Sequence, residues 1–175
     1  MKKIIAIAIF ILSSNFLMAQ AYSNSDNIHE IKFNIGQFLI TSSAEISYEY
    51  YINEDTSIGA TMYFDSDSDD YNGNFGLGAN VRAYFGYNPK SGVFAEAFGL
   101  YYTGEDEVED AASTLGVRNK DYSTTALGLG GGYKWATRSD KFTVELSGGL
   151  GRNINPEDFQ NTFMFRAGLS VGFRF

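Results

Sequence analysis

The sequence contains no cysteine and a single histidine, His29. The first absence excludes disulfides, thiolate metal centres and a lipidated N-terminal cysteine. The second leaves little material for Ser/His/acid catalysis. Only two prolines are present, and beyond the first 21 residues no run of about twenty apolar residues occurs, so no helix of the remaining chain is expected to cross a bilayer. Basic residues are also few. Lysine and arginine total 13 against 21 acidic residues, a formal charge of −8 that makes nucleic acid an unfavourable partner.

What is abundant is an unusual pair, large rings and missing side chains. Aromatics make up 16% of 175 residues, with 15 Phe and 12 Tyr beside 19 Gly. Such a pairing suits sheets that curve and pack closely.

The first residues, MKKIIAIAIFILSSNFLMAQA, have two lysines, an apolar stretch from Ile4 to Leu12 and small residues at Ala19 and Ala21. This is the plan of a secretory signal, expected at 1–19, with cleavage after Ala19 or, at the second A-x-A site, after Ala21. Removing Lys2 and Lys3 leaves 11 of the 13 basic residues against 21 acidic ones, a formal charge of −10. Residues 20–28 then form a periplasmic N-terminal segment, and 29–175 a single barrel domain.

That domain is expected to be all-β, because period-2 alternation recurs along it. EIKFNIG (30–36), EISYEYYI (45–52), SIGATMYF (57–64) and NFGLGANVRAYF (74–85) each set large apolar residues against small or polar ones. TALGLGGGYKW (125–135), FTVELSGGL (142–150) and the closing NTFMFRAGLSVGFRF (161–175) do the same. GVFAEAFGLYY (92–102) is ambiguous, since Phe94, Phe98 and Leu100 share a parity with Glu96; a bulge is expected there.

The composition of the two flanks decides the architecture. One flank is Phe, Tyr, Leu, Val and Ile, reaching Tyr133 and Trp135. The other is Gly, Ala, Ser and Asn with isolated charges. A lipid-facing exterior with an aromatic girdle and a narrow polar interior fits this better than a soluble sandwich. Open sheet edges are excluded from hydrocarbon, so the eight segments are expected to close into an antiparallel up-and-down transmembrane β-barrel. Linkers two, four and six are compact. Linkers three (DSDSDDYNG), five (roughly twenty residues, GEDEVEDAASTLGVRNKDY) and seven (RNINPEDFQN) are longer and are expected at the cell surface; linker one, 39–44, is short.

The signal segment, the eight alternating stretches, EISYEY and the terminal GLSVGFRF together resemble the small eight-stranded outer-membrane barrels, such as OmpX and the membrane domain of OmpA, and barrel proteins of Bacteroidetes-type bacteria. The resemblance implies a monomer surrounded by outer-membrane lipid and lipopolysaccharide, in a Gram-negative cell. It also implies that Phe173 and Phe175 are read by the barrel-assembly machinery. The chain stops where the barrel stops, so the peptidoglycan-binding domain of OmpA-like proteins is not expected.

An eight-stranded interior is narrow enough to be filled by side chains. Charges on the polar flank, Lys32, Glu49, Arg82, Glu96, Lys134, Glu145 and Arg166, are expected to pair there as a connected network. The expected function is a structural or interaction protein with acidic surface loops meeting an unknown partner. The alternative is a narrow channel or a carrier for a small hydrophobic molecule. No enzymatic role, cofactor or metal is expected. His29 reads as a solvated residue at the periplasmic rim. The alternate acids of Asp65–Asp70 depart from the calcium-loop pattern at Asp70 and Gly76, leaving a solvated loop as the default and weak divalent binding as the alternative. The Gly104–Asp110 acids have the same default. The glycines of GLGLGGGY precede no helix and are expected to admit bulky lumen neighbours such as Tyr84 or Arg166.

Overall fold

The computed structural model describes residues 27–65, 74–86, 88–109, 117–154, 156 and 160–175, with the backbone alone for 106–109 and 117–120. The expected signal segment, most of residues 20–28 and the acidic stretch 66–73 lie outside the described residues. Eight strands form a closed antiparallel barrel in which each pairs with its sequence neighbours and the last returns to the first. They are β1 (His29–Asn34), β2 (Ala44–Tyr51), β3 (Thr56–Phe64), β4 (Phe75–Phe85), β5 (Gly92–Glu109), β6 (Val117–Ala136), β7 (Phe142–Ile154) and β8 (Phe163–Arg174). One short helix, α1 (Ile35–Thr41), lies between β1 and β2.

Exposure divides the two flanks. Leu129, Leu150 and Phe163 are 71%, 63% and 68% exposed, while Lys134, Glu49 and Glu145 are buried. The apolar flank therefore faces out around the whole cylinder and the charged flank faces in. Such an apolar exterior is stable only against lipid, so the barrel spans a membrane. Rings gather at the rim that holds both ends of the barrel: His29 stacks on Phe175, Phe142 packs on Phe173, and Tyr133 lies 4.6 Å from Trp135.

Three expectations about the wall are corrected. β5 has no bulge, because its registers with β4 and β6 run unbroken from Gly92 onward. Phe94, Glu96, Phe98 and Leu100 all point inward and are buried, so the mixed parity reflects a lumen that takes rings as well as charge. Linker five is mostly strand: β5 and β6 stay paired as far as Glu109 and Val117. A ladder that rises into water has no dry face and hence shows no alternation.

The third correction concerns the start of linker one. EIKFNIG leaves the sheet at Asn34, and Ile35 begins α1. Continued as a strand, 35–41 would aim Gln37 and Thr41 at lipid and Phe38 and Ile40 into the lumen. The helix avoids that inversion. Its ends are encoded locally: the Asn34 side chain accepts a hydrogen bond from the Gln37 amide at 3.1 Å, and Ser42 closes it with a φ of 57°.

The interior glycines of β6 make room for β5. A Cβ on Gly128 would lie 2.3 Å from Phe98 Cζ, and one on Gly132 would lie 2.8 Å from Phe94 Cζ. The neighbours they admit are thus Phe98 and Phe94, not Tyr84 or Arg166. Register explains this, since Phe98 stands opposite Gly128 and Phe94 opposite Gly132.

Candidate functional site

The lumen is stratified. Its lower half, toward the rim with the termini, is ionic. Lys134 Nζ contacts Glu49 at 2.8 Å, Glu145 at 3.2 Å and Glu30 at 3.4 Å. Lys32 bridges Glu49 and Glu145 at 2.8 and 3.1 Å. Arg82 contacts Glu96 and Glu145 at 2.8 Å and Glu49 at 3.2 Å. Six of the seven charges proposed from sequence therefore meet in one cluster contributed by β1, β2, β4, β5, β6 and β7.

Each ion is desolvated, so mutual attraction repays its burial only when the remaining lone pairs and protons are also engaged. They are. Tyr84 donates to Glu49, Ser57 donates to the same carboxylate, and Arg82 lies 4.6 Å from the Phe94 ring centre. Among the described residues no buried charged atom lacks a partner.

Residues not singled out from sequence extend the cluster to the rim. Arg174 pairs with Glu30 at 2.8 Å and with Asp140, and it donates to Tyr51 and to the Lys90 carbonyl. Tyr51 donates to Glu30, as does Thr143. Lys90, in the β4–β5 turn, reaches the Asn27 carbonyl at 2.9 Å while its amide bonds Glu54, which draws that turn beneath the barrel. Glu30 and Arg174 share the lumen parity of Lys32 and Ser170, and that parity was the available signal.

Arg166 stands apart. Its guanidinium meets Glu45 at 3.4 Å, and these side chains keep 20% and 14% exposure where the central ions keep at most 8%. A cavity of about 20 Å³ separates the two layers, with room for about one water. Above it the lumen turns apolar, with Phe98, Leu100, Tyr102, Ala126 and Met164 packed together and Arg166 lying 5.1 Å from the Phe98 ring centre.

His29 sits in the rim girdle, with Nδ1 2.6 Å from the Tyr48 hydroxyl and its ring 5.5 Å from Phe175. It is half-buried rather than freely solvated. Among the described residues no group of three or more His, Asp or Glu side chains is placed to hold a metal ion. The acidic stretch 66–73 lies outside them.

No protein-family model matches the sequence. No curated protein matches it either. Among solved structures, the N-terminal β-barrel domain of Pseudomonas aeruginosa OprF superposes with a TM-score of 0.52 at 16% identity, covering 84% of this chain and 96% of that one. Neisserial surface protein A (NspA) gives 0.48 at 14% identity, covering 84% and 94%. The chain has the fold of the small eight-stranded outer-membrane barrels.

Proposed function

We propose that this protein is an integral outer-membrane barrel that serves as a surface anchor, holding acidic loops toward an external partner over a lumen that passes no solute. The observation that carries the reading is the ionic cluster: charges from six strands are tied together across the bore and sealed below by Arg174 and the Lys90 turn. A hydrated pore keeps its charges apart and wet, whereas these are buried and mutually bonded. The cylinder then acts as a rigid mount.

The expected secretory segment supports export to the outer membrane, and the apolar exterior supports residence among its lipids and lipopolysaccharide as a monomer. Phe173 and Phe175, both outward-facing, are proposed as the contact read by the assembly machinery. The lone histidine lies in the rim girdle, away from the lumen ions, which supports a non-enzymatic role. Planar-bilayer recording on refolded protein tests the reading. Silence is expected from the native chain, and conductance steps are expected from an Arg82→Ala/Lys134→Ala variant; steps from the native chain contradict it.

A further inference from the structure

The lipid-facing wall is not evenly covered. It carries a groove of about 880 Å³, far larger than the one-water cavity inside the lumen. Register sets its floor: Ala60 stands opposite Ala79 and Ala79 opposite Gly99, so β3, β4 and β5 present only methyl groups or a hydrogen there. Tyr48, opposite Ala60, bounds one end. Leu127, opposite Gly99, bounds the other, with its Cδ2 3.3 Å from where a Gly99 Cβ would stand. Ile58 and Val81, the next outward pair toward the rim with the termini, form the lower wall.

The groove climbs through the membrane. Tyr48 is three residues from the rim end of β2 at Tyr51, whereas Leu127 is nine from the rim end of β6 at Ala136. That difference of six residues, at about 3.4 Å each on strands tilted by about 40°, is a rise on the order of 15 Å, half the thickness of a hydrocarbon core. The depression therefore starts in the aromatic girdle and ends near the bilayer midplane, the depth of one acyl chain.

Its rim end is polar. His29 Nδ1 lies 2.6 Å from the Tyr48 hydroxyl, and the Tyr50 ring lies 5.4 Å from the imidazole. The neutral pair holds two protons and shares one bond. If the hydroxyl donates, Nε2–H is left over; if Nδ1–H donates, the hydroxyl proton is left over. Either tautomer leaves a donor that no other described residue accepts, in an interface whose acceptors besides water are lipid phosphate and ester oxygens.

We propose that the groove seats one phospholipid of the leaflet at the rim with the termini, its phosphate bonded to the His29–Tyr48 pair and one acyl chain lying over Ala60, Ala79 and Gly99. A second copy of the chain could use the small floor, but it has no need of a donor confined to one end at headgroup depth. The seat rests on the membrane-barrel reading but not on the anchor function.

The test is native mass spectrometry of the refolded barrel released from detergent micelles containing palmitoyl-oleoyl phosphatidylethanolamine, with heat-modifiable gel mobility confirming that each variant is folded. One retained phospholipid per barrel is expected. Ala79→Phe fills the floor between Ala60 and Gly99 and is expected to lower retention about tenfold. Ala167→Phe, outward on β8 and away from the groove, is expected to leave it unchanged. His29→Phe/Tyr48→Phe keeps the rings and removes the donor; it is expected to lower phospholipid retention about tenfold and to erase the native preference for phospholipid over the matching diacylglycerol. No retained lipid, or equal retention by native and Ala79→Phe protein as an adventitious lipid only, overturns the seat. So does a mass of two barrels that Ala79→Phe reduces to one. Equal retention of phospholipid and diacylglycerol by native protein overturns the headgroup contact. A native chain that stays monodisperse without detergent instead removes the membrane reading on which the seat rests.

Discussion

Lys134 Nζ lies 2.8 Å from Glu49 Oε2 although 85 residues separate them in sequence, and both side chains are sealed from solvent. Neither ion is stable alone at that depth, since each depends on the other for the solvation that water no longer supplies. The pair ties β2 to β6 straight across the bore.

Removing one member is therefore expected to cost more than removing both. Glu49→Leu strands Lys134, Lys32 and Arg82 around a missing carboxylate, and a loss of about 3–5 kcal/mol is expected. Adding Lys134→Met should recover part of it. Guanidinium unfolding in phospholipid vesicles measures both variants; a double variant as unstable as the summed singles contradicts the coupling.

A side chain at Gly128 has nowhere to go. Its Cβ would meet Phe98 Cζ at 2.3 Å and the Leu150 carbonyl at 2.5 Å. Gly128→Val is expected to destabilise the barrel by about 1–3 kcal/mol through overpacking. Phe98→Ala in the same chain should relieve only part of that, because the Leu150 backbone remains. The same unfolding series provides the check.

Leu146 lies midway along the outward row of β7, between Phe142 and Leu150. Leu146→Arg is expected to cost about 2–4 kcal/mol, the price of a cation near the bilayer midplane. Its neighbour Ser147 points inward, and Ser147→Ala should have little effect. A large loss at Ser147 with none at Leu146 would reverse the two faces.

Phe175 stacks on His29 and Phe173 at the outer face of the rim. Phe175→Ala is expected to lower the amount of assembled barrel in cells while leaving detergent refolding of purified protein near normal. Heat-modifiable gel mobility separates the two. Equal defects in both settings would mean that the ring serves stability rather than assembly.

The cylinder was legible because alternation survives wherever one face meets lipid, as in Phe142, Val144 and Leu146 against Thr143, Glu145 and Ser147. The signal failed where that contrast disappears. In β5, Phe94 and Phe98 occupy lumen positions, so apolarity alone no longer marks the outside. Beyond Tyr102 the β5–β6 hairpin rises into water and both faces are polar. At α1, a parity reversal at Gln37 and Phe38 carried the break in β1, yet EIKFNIG reads smoothly two residues past it. The charge cluster was legible in part, because strand parity places Lys32, Glu49 and Arg82 on one face. Which ions meet is a matter of barrel closure, which brings β1 beside β8 and so adds Arg174 to Glu30.

The central claim is that the apolar flank faces lipid and the charged flank lines the bore. Nitroxide labels at single cysteines along β7, positions 143 to 147 in turn, test it most directly in a chain with no native cysteine. Collision rates with oxygen are expected to be high at 144 and 146 and low at 143, 145 and 147 in lipid vesicles. High oxygen accessibility at 143, 145 and 147, or no alternation at all, would contradict the account.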